Sequence, residues 1–258
     1  MDLGLTGKVA MVTGASRGLG RYIALQLAAE GCDLAICARS AETLADTASA
    51  IEALGRRVEA RALDVTASGA AESMVEATTE TLGPVDILVN NVGGNRRGQV
   101  HETSDADWEE IMNLNFNSHL RFSRAVVPSM LERQQGVILF ISSIFGREAG
   151  GKGLAIYNTT KAALISLAKI MALELADQGI RVNSIAPGSI RFPGGSWDKR
   201  CLEDPEGMAE FTKNNLPLGR FGTAEELADV VTFLASPRAS LVTGSCINVD
   251  GGQSHSLI

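Results

Sequence analysis

Residues 9–20 read VAMVTGASRGLG, and this stretch decides the fold. Its first four residues are all apolar, which is typical of a strand buried on both faces of a sheet. The turn that follows contains Gly14, Gly18 and Gly20, which permit positive φ and let a ligand approach the backbone closely. A segment with helical periodicity comes next, so the turn leads into the N-terminus of a helix. Because helix N-termini offer unpaired N–H groups to anions, the turn predicts a phosphate-binding site.

The alternation of strand and helix continues along the chain. Short apolar runs separated by segments with apolar residues at intervals of three and four predict a parallel sheet with helices on both faces. No Pro-, Gly- or Ser-rich linker interrupts this pattern, so we expect one α/β domain over residues 1–258, doubly wound around a seven-stranded sheet. The predicted strands are residues 9–12, 34–37, 58–63, 87–89, 137–141, 182–185 and 246–249, and the predicted helices are residues 20–30, 41–54, 69–82, 105–130, 157–178 and 224–234.

The composition is that of an ordinary globular protein, with 45% hydrophobic and 21% charged residues. A net charge of −7 leaves no excess of Lys and Arg for phosphate backbones, so nucleic acid is not an expected partner. The start of the chain has no basic segment, and no apolar run reaches the roughly 18 residues of a membrane span, which indicates a cytoplasmic protein without a membrane partner. The four cysteines form no CxxC pair and the three histidines no HxxH pair, so we expect no metal site.

Residues 189–218 form the least regular segment of the chain. They contain Pro193, Pro205 and Pro217 and follow the end of a predicted strand. In open α/β sheets, loops at the carboxyl ends of strands border the ligand crevice. We therefore expect this segment to be a substrate lid.

The glycine turn also matches a second pattern. Residues 14–18 fit the G-x-S-x-G turn that carries the nucleophilic serine of many hydrolases. That turn normally follows several strands, whereas a single predicted strand precedes it here, and the chain has only three histidines to serve as the base. We favour the dinucleotide-binding interpretation.

The residues after the second predicted strand indicate which dinucleotide is bound. Sites for NAD usually place Asp or Glu there to bind the ribose 2′-hydroxyl, but residues 37–40 read Cys-Ala-Arg-Ser. Arg39 is suited to a 2′-phosphate, and Arg17 in the glycine turn adds a second guanidinium. The sequence thus favours NADP(H) over NAD(H); the alternative is that Arg39 is a solvated loop residue.

Tyr157 and Lys161 lie four residues apart in a strongly helical segment, so they share one helix face. A neighbouring ammonium stabilises a phenolate, and we expect Lys161 to bring the pKa of Tyr157 toward the range useful for proton transfer. Taken alone, a Tyr and a Lys at this spacing are more often a solvated surface pair.

Six motifs carry a family resemblance when they are taken together. They are residues 13–20, 90–93, 142–143, Tyr157 with Lys161, residues 187–188 and residues 250–252. Their order and spacing resemble the classical short-chain dehydrogenase/reductase (SDR) family over essentially the whole chain, and residues 216–222 look like its 3-oxoacyl carrier protein reductase branch. The resemblance implies a Rossmann-type fold and an oxidoreductase that interconverts a carbonyl and a secondary alcohol with NADP(H). It also implies a small-molecule substrate and a homotetramer.

The resemblance assigns roles to individual residues. Tyr157 would be the general acid or base, and Lys161 would lower its pKa and bind the nicotinamide ribose. Ser143, rather than the strand-end hydroxyl of Ser142, would bind the substrate oxygen. Asn115 would hold a helix kink and a water that relays protons. The implied cofactor-binding residues are Gly14, Ser16, Arg17, Gly18, Leu19, Gly20, Arg39, Asp64, Val65, Asn91, Gly93, Tyr157, Lys161, Pro187, Gly188 and Ile190.

The choice of Asn115 over Asn113 and Asn117 rests on Trp108, seven positions earlier. One departure from the family pattern bears on the lid, since Phe192 stands where a Thr commonly contacts the cofactor. Two alternatives for the function remain, namely a reductase specific for 3-oxoacyl thioesters and a sensor that binds the dinucleotide without turnover.

Overall fold

The computed structural model describes residues 1–257, which fold around a seven-stranded parallel sheet with helices on both faces. The predicted α/β, Rossmann-type fold is therefore confirmed. The sheet order is β3-β2-β1-β4-β5-β6-β9, and β7 pairs with β8 in a separate two-stranded sheet. The strands are β1 Val9–Thr13, β2 Asp33–Ala38, β3 Val58–Ala62, β4 Ile87–Asn90, β5 Gly136–Ile141, β6 Ile180–Pro187, β7 Ile190–Arg191, β8 Gly222–Thr223 and β9 Cys246–Val249. The α-helices are α1 Gly18–Ala29, α2 Ala41–Ala53, α3 Ala70–Thr81, α4 Asp105–Met112, α5 Ser118–Arg133, α6 Ala155–Leu175, α7 Ser196–Glu203, α8 Pro205–Asn215 and α9 Ala224–Ala235.

The apolar run of β1 is explained by two cores, one on each face of the sheet. Ala10 and Val12 belong to the core under α1 and α9, whereas Val9 and Met11 belong to the opposite core under α3, α5 and α6. Because side chains alternate along a strand, a strand covered on both faces needs an apolar residue at every position.

The sheet order places a crevice beside β1. The chain runs outward from β1 to β3 and then returns to β4, which pairs with the other side of β1. At such a reversal the helices leave on opposite faces, and a ligand crevice opens at the carboxyl ends of the strands. The glycine turn after β1 and residues 91–93 after β4 lie at this crevice.

Two segments differ from the sequence-based expectation. The single helix predicted over residues 105–130 is interrupted by a π-helical turn, Asn113–Asn117, between α4 and α5. Residues 189–218, expected to be irregular, contain α7 and α8, because Pro205 opens α8 and Asp204 caps it through the Gly207 N–H. Within residues 1–257, no helix is long and apolar enough to cross a membrane.

Candidate active site

The glycine turn is shaped by positive φ and by close packing. Gly14 and Gly18 have φ of +71° and +55°, which side chains disfavour. Gly20 leaves no room for a side chain, because a Cβ atom there would collide with the Gly14 carbonyl and the Asn91 amide. Asn91 fixes the turn by donating to the carbonyls of Thr13 at 3.0 Å and Gly14 at 3.3 Å. The turn is therefore held open at the N-terminus of α1, as an anion site requires.

Two contiguous cavities cross the carboxyl edge of the sheet, with Arg17, Asn91 and Gly93 lining both. The first, of about 780 Å³, follows the glycine turn and the end of β2. The second, of about 510 Å³, lies over the start of α6. Among the predicted cofactor-binding residues, the first cavity is lined by Gly14, Ser16, Arg17, Gly18, Leu19, Arg39, Asp64, Val65, Asn91 and Gly93, and the second adds Tyr157, Lys161, Pro187, Gly188 and Ile190. Gly20 lines neither cavity and acts through packing.

Ser143, Tyr157 and Lys161 meet in the second cavity. The Ser143 hydroxyl lies close enough to Tyr157 to lower the pKa of its phenol, and the Ser143 Oγ accepts the Phe145 N–H at 3.2 Å. Ser142 also lines the cavity, but its hydroxyl is engaged in a hydrogen bond that it donates to the Lys161 carbonyl at 2.8 Å. The two adjacent serines thus differ in their hydrogen-bond partners.

Asn115 lies in the π-helical turn and is fully buried. Its Oδ1 accepts the Gly94 N–H at 2.8 Å, and its Nδ2 donates to the Gly94 carbonyl at 2.9 Å and to the Thr160 hydroxyl at 3.0 Å. The widened turn brings the amide inward, so one side chain ties the loop after β4 to α6.

The pKa values of Tyr157 and Lys161 differ from the expectation drawn from the sequence. Burial raises the pKa of Tyr157, and its hydrogen bond with Ser143 only partly offsets that rise. Lys161 does not contribute the expected lowering, because burial brings its own pKa below that of Tyr157 and the amine is neutral before the phenol ionises. The Lys161 Nζ lies 5.7 Å from the ring centroid and donates to the Ile141 carbonyl at 2.8 Å. Burial lowers the pKa of Lys161 itself to about 8.

The lowered pKa of Lys161 predicts a pH-dependent contribution to stability. Between its unfolded value of 10.5 and its folded value of about 8, the folded chain binds fewer protons than the unfolded chain. The penalty of burying the ammonium is thus complete below about pH 8 and vanishes as the pH rises through 10.5. We expect Lys161→Met to flatten the rise of the unfolding free energy over this interval in urea titrations.

The difference between the stability curves of wild type and Lys161→Met reports the contribution of Lys161 alone. Burial raises the thiol pKa values of Cys32 and Cys37 to about 12, which lowers the unfolding free energy as the pH rises. Both proteins keep these thiols, so this effect cancels in the difference. The exposed Lys169 on the same helix provides the control, because Lys169→Met should leave the curve unchanged. Parallel curves for wild type and Lys161→Met would contradict the assignment.

The loop after β6 closes the far wall of the second cavity. A Cβ atom on Gly188 would lie 2.6 Å from the Asp250 Cβ, so a glycine is needed where this loop passes the segment after β9. The Ser189 N–H donates to the Gln253 Oε1 at 2.7 Å. The motifs at residues 187–188 and 250–252 are therefore two halves of one contact.

Sequence reasoning missed several residues of the second cavity. Arg97 and Arg200 line it together with Gln253 and Leu154, and none of these belongs to a recognisable motif. Their positions depend on how the loop after β4 and the lid helix α7 fold over the site, which no local pattern reveals.

The chain is similar over its whole length to known oxidoreductases. A family described as Enoyl-(Acyl carrier protein) reductase matches residues 14–254. The 3-oxoacyl-[acyl-carrier-protein] reductase FabG of Thermotoga maritima is 36% identical over 248 residues, which are 96% of this chain and 98% of the relative.

Solved structures give the same result. L-sorbose reductase from Gluconobacter frateurii, complexed with NADPH and L-sorbose, is 36% identical with a TM-score of 0.94 over 100% of both chains. A 7α-hydroxysteroid dehydrogenase complexed with NADH and 7-oxo glycochenodeoxycholic acid is 32% identical with a TM-score of 0.90 over 100% of this chain and 98% of the other. The protein is thus an oxidoreductase that belongs to the classical short-chain dehydrogenase/reductase family and resembles its 3-oxoacyl carrier protein reductases.

Proposed function

We propose that the protein is an NADP(H)-dependent oxidoreductase that interconverts a carbonyl and a secondary alcohol, with Tyr157 as the general acid or base. The observation that carries this proposal is that Ser143, Tyr157 and Lys161 line one cavity. That cavity continues into the cavity of the glycine turn. Tyr157, the proposed proton donor, and the glycine turn, the proposed phosphate site, thus lie in one crevice.

The residues of the first cavity fit a dinucleotide with a 2′-phosphate. The glycine turn leaves space where side chains would intrude, and Arg17 and Arg39 line the cavity. Asp64 has a lowered pKa, mainly because Thr66 donates two hydrogen bonds to it and to a lesser extent because of Arg39. No carboxylate follows β2 to bind a ribose 2′-hydroxyl. The sorbose reductase was solved with NADPH and the steroid dehydrogenase with NADH, so the preference rests on this chain's arginines.

The residues of the second cavity support proton transfer. When bound, the nicotinamide would supply or accept the hydride. Tyr157 would donate its proton to the carbonyl oxygen during reduction and take it back during oxidation, while Ser143 would hold that oxygen. The raised pKa keeps Tyr157 protonated at neutral pH, which favours it as the donor in carbonyl reduction. Lys161 would bind the nicotinamide ribose, and Asn115 would keep the widened turn beside it.

The test is turnover of NADPH with a panel of ketones, keto acids and the neutral thioester acetoacetyl-N-acetylcysteamine. Oxidation of NADPH by ketones supports the proposal. Turnover of the thioester alone would instead identify a 3-oxoacyl-thioester reductase, the activity named for the Thermotoga maritima relative. NADPH binding without turnover of any member would identify a sensor.

Residues 189–218 fit the role of substrate lid. Trp197 in α7 stacks on Phe211 in α8, with ring centroids 4.9 Å apart, and also contacts Phe221. The Phe192 ring packs against Gly18 and Gly195, so the position usually held by Thr links the lid to the glycine turn. We keep the lid, the cytoplasmic location and the homotetramer as predictions.

The homotetramer can be tested on α6. This helix exposes Ile170 by 50% and Leu173 by 67%, and their spacing places them on one face. We expect Leu173→Glu to reduce the mass measured by light scattering at micromolar concentration, because a buried unpaired carboxylate opposes association. Leu202→Glu, at an exposed leucine of α7, should leave the mass unchanged. A wild-type chain with the mass of a monomer would contradict the prediction.

A further inference from the structure

The charged residues that line the second cavity are all basic. Four basic residues line it, namely Arg17, Lys161, Arg97 and Arg200, and no Asp or Glu does so within residues 1–257. The whole chain has a net charge of −7, so this distribution is a local property of the cavity. Arg17 and Lys161 are accounted for by the proposed cofactor site. Arg97 and Arg200 are not.

Arg97 and Arg200 are available to bind an anion. Both side chains are exposed, and no ion pair joins either of them to a carboxylate in the described part of the chain. Arg96, the neighbour of Arg97, is different, because it pairs with Asp107 at 3.3 Å and Glu110 at 2.6 Å. The Arg200 guanidinium lies 4.9 Å from the Trp197 ring centroid, a contact that orients the group and leaves its donors free.

The loop that carries Arg97 is fixed at both ends. At one end, Asn115 binds both backbone groups of Gly94. At the other end, the Gly98 N–H donates to the Gly153 carbonyl at 3.2 Å, and Gly98 forms a bridge with Leu154. Leu154 directly precedes α6, the helix that carries Tyr157. Arg97 is therefore held on the rim next to the catalytic residues, and α7 of the lid supplies Arg200.

We propose that the substrate carries an anionic group, a carboxylate or a phosphate monoester, which Arg97 and Arg200 bind while its carbonyl or hydroxyl lies against Ser143 and Tyr157. Guanidinium groups bind both anions through paired N–H donors. This inference rests on the proposed function, since it names the substrate class of the same site.

The test compares keto compounds with and without an anionic group. The pairs are levulinate with levulinamide and dihydroxyacetone phosphate with dihydroxyacetone, and kcat/KM is measured for wild type, Arg97→Gln, Arg200→Gln and the control Arg96→Gln. We expect wild type to prefer the anionic member of one pair, which shows whether carboxylate or phosphate is recognised. Each cavity variant should lower kcat/KM for that member by about tenfold, as loss of a charged hydrogen bond does, and leave the neutral member unchanged. Arg96→Gln should change neither.

The outcomes separate this inference from the proposed function. Equal turnover of anionic and neutral members by wild type, or equal losses for both in the variants, would overturn the anion site and leave the oxidoreductase intact. If neither these compounds nor the panel above is turned over, the proposed function fails, and binding tests the anion site alone. Trp197 fluorescence, measured in a Trp108→Phe chain, should respond to the anionic member of one pair and not to its neutral counterpart, and Arg200→Gln should abolish the response. Identical responses to the anionic and neutral members of both pairs would overturn the inference.

Discussion

Tyr157→Phe is expected to lower kcat by about two to four orders of magnitude, the usual contribution of a positioned acid or base. The substitution removes one oxygen atom from the cavity wall and keeps the ring under the Lys161 ammonium. The dinucleotide cavity is lined mainly by other residues, so we expect NADPH affinity, measured by fluorescence titration, to remain close to that of wild type.

The sequence offers a matched control, because its only other tyrosine is Tyr22 on α1. Tyr22→Phe makes the same chemical change outside both cavities and should leave kcat unchanged. Near-normal turnover by Tyr157→Phe would remove Tyr157 from the proposed mechanism. A loss of NADPH affinity as large as the loss of kcat would show that the phenolic oxygen of Tyr157 binds the cofactor instead.

Arg39→Asp is expected to shift the ratio of kcat/KM for NADPH to that for NADH by about 100-fold or more toward NADH. The substitution removes a guanidinium that would pair with the 2′-phosphate, an interaction of the kind that contributes roughly tenfold or more in affinity. It also places a carboxylate at the end of β2, where NAD sites bind the ribose 2′-hydroxyl. Steady-state kinetics with both cofactors measure the ratio.

A control must change the net charge equally without touching the cavity. Arg238→Asp does so, since Arg238 is exposed and lines neither cavity, and its ratio should equal that of wild type. An unchanged ratio in Arg39→Asp would show that Arg39 is a solvated loop residue, the alternative that the sequence leaves open.

The sheet could be predicted from the sequence because burial on both faces imposes a continuous apolar pattern. In β1, residues 9–12 enter the two cores alternately, so all four are apolar and the strand is visible in the sequence. The glycine turn is visible for a similar reason, since positive φ at Gly14 and Gly18 leaves little choice of residue. Burial on both faces and positive φ each restrict the residue at a single position, so both can be recognised from a short stretch of sequence.

The interrupted helix and the lid helices were not predictable in the same way. The buried residues on either side of the π-helical turn keep helical spacing, at Ile111, His119, Phe122 and Val126, so residues 105–130 have the periodicity of one helix. The lid helices α7 and α8 bury few side chains on the main sheet and are held by aromatic contacts among Trp197, Phe211 and Phe221. Tertiary packing determines the π-helical turn and the lid helices, and the local hydrophobic pattern of the sequence does not report such packing.

Arg96 and Arg97 show how far the candidate site can be predicted from the sequence. They are adjacent residues of the same type, yet Arg96 is paired with α4 and Arg97 lines the second cavity. Only the course of the loop separates their roles. Likewise, the raised pKa of Tyr157 depends on burial, which the four-residue spacing from Lys161 does not report.

The double hydrogen bond between Asn115 and Gly94 has a consequence for engineering. Gly94 and Gly98 are each anchored, and Arg96 between them is paired with α4. Asn95 and Arg97, which line the second cavity, can therefore be exchanged while the ends of the loop and Tyr157 keep their places. Substitutions at these two positions offer a route to a different preference for substrate charge.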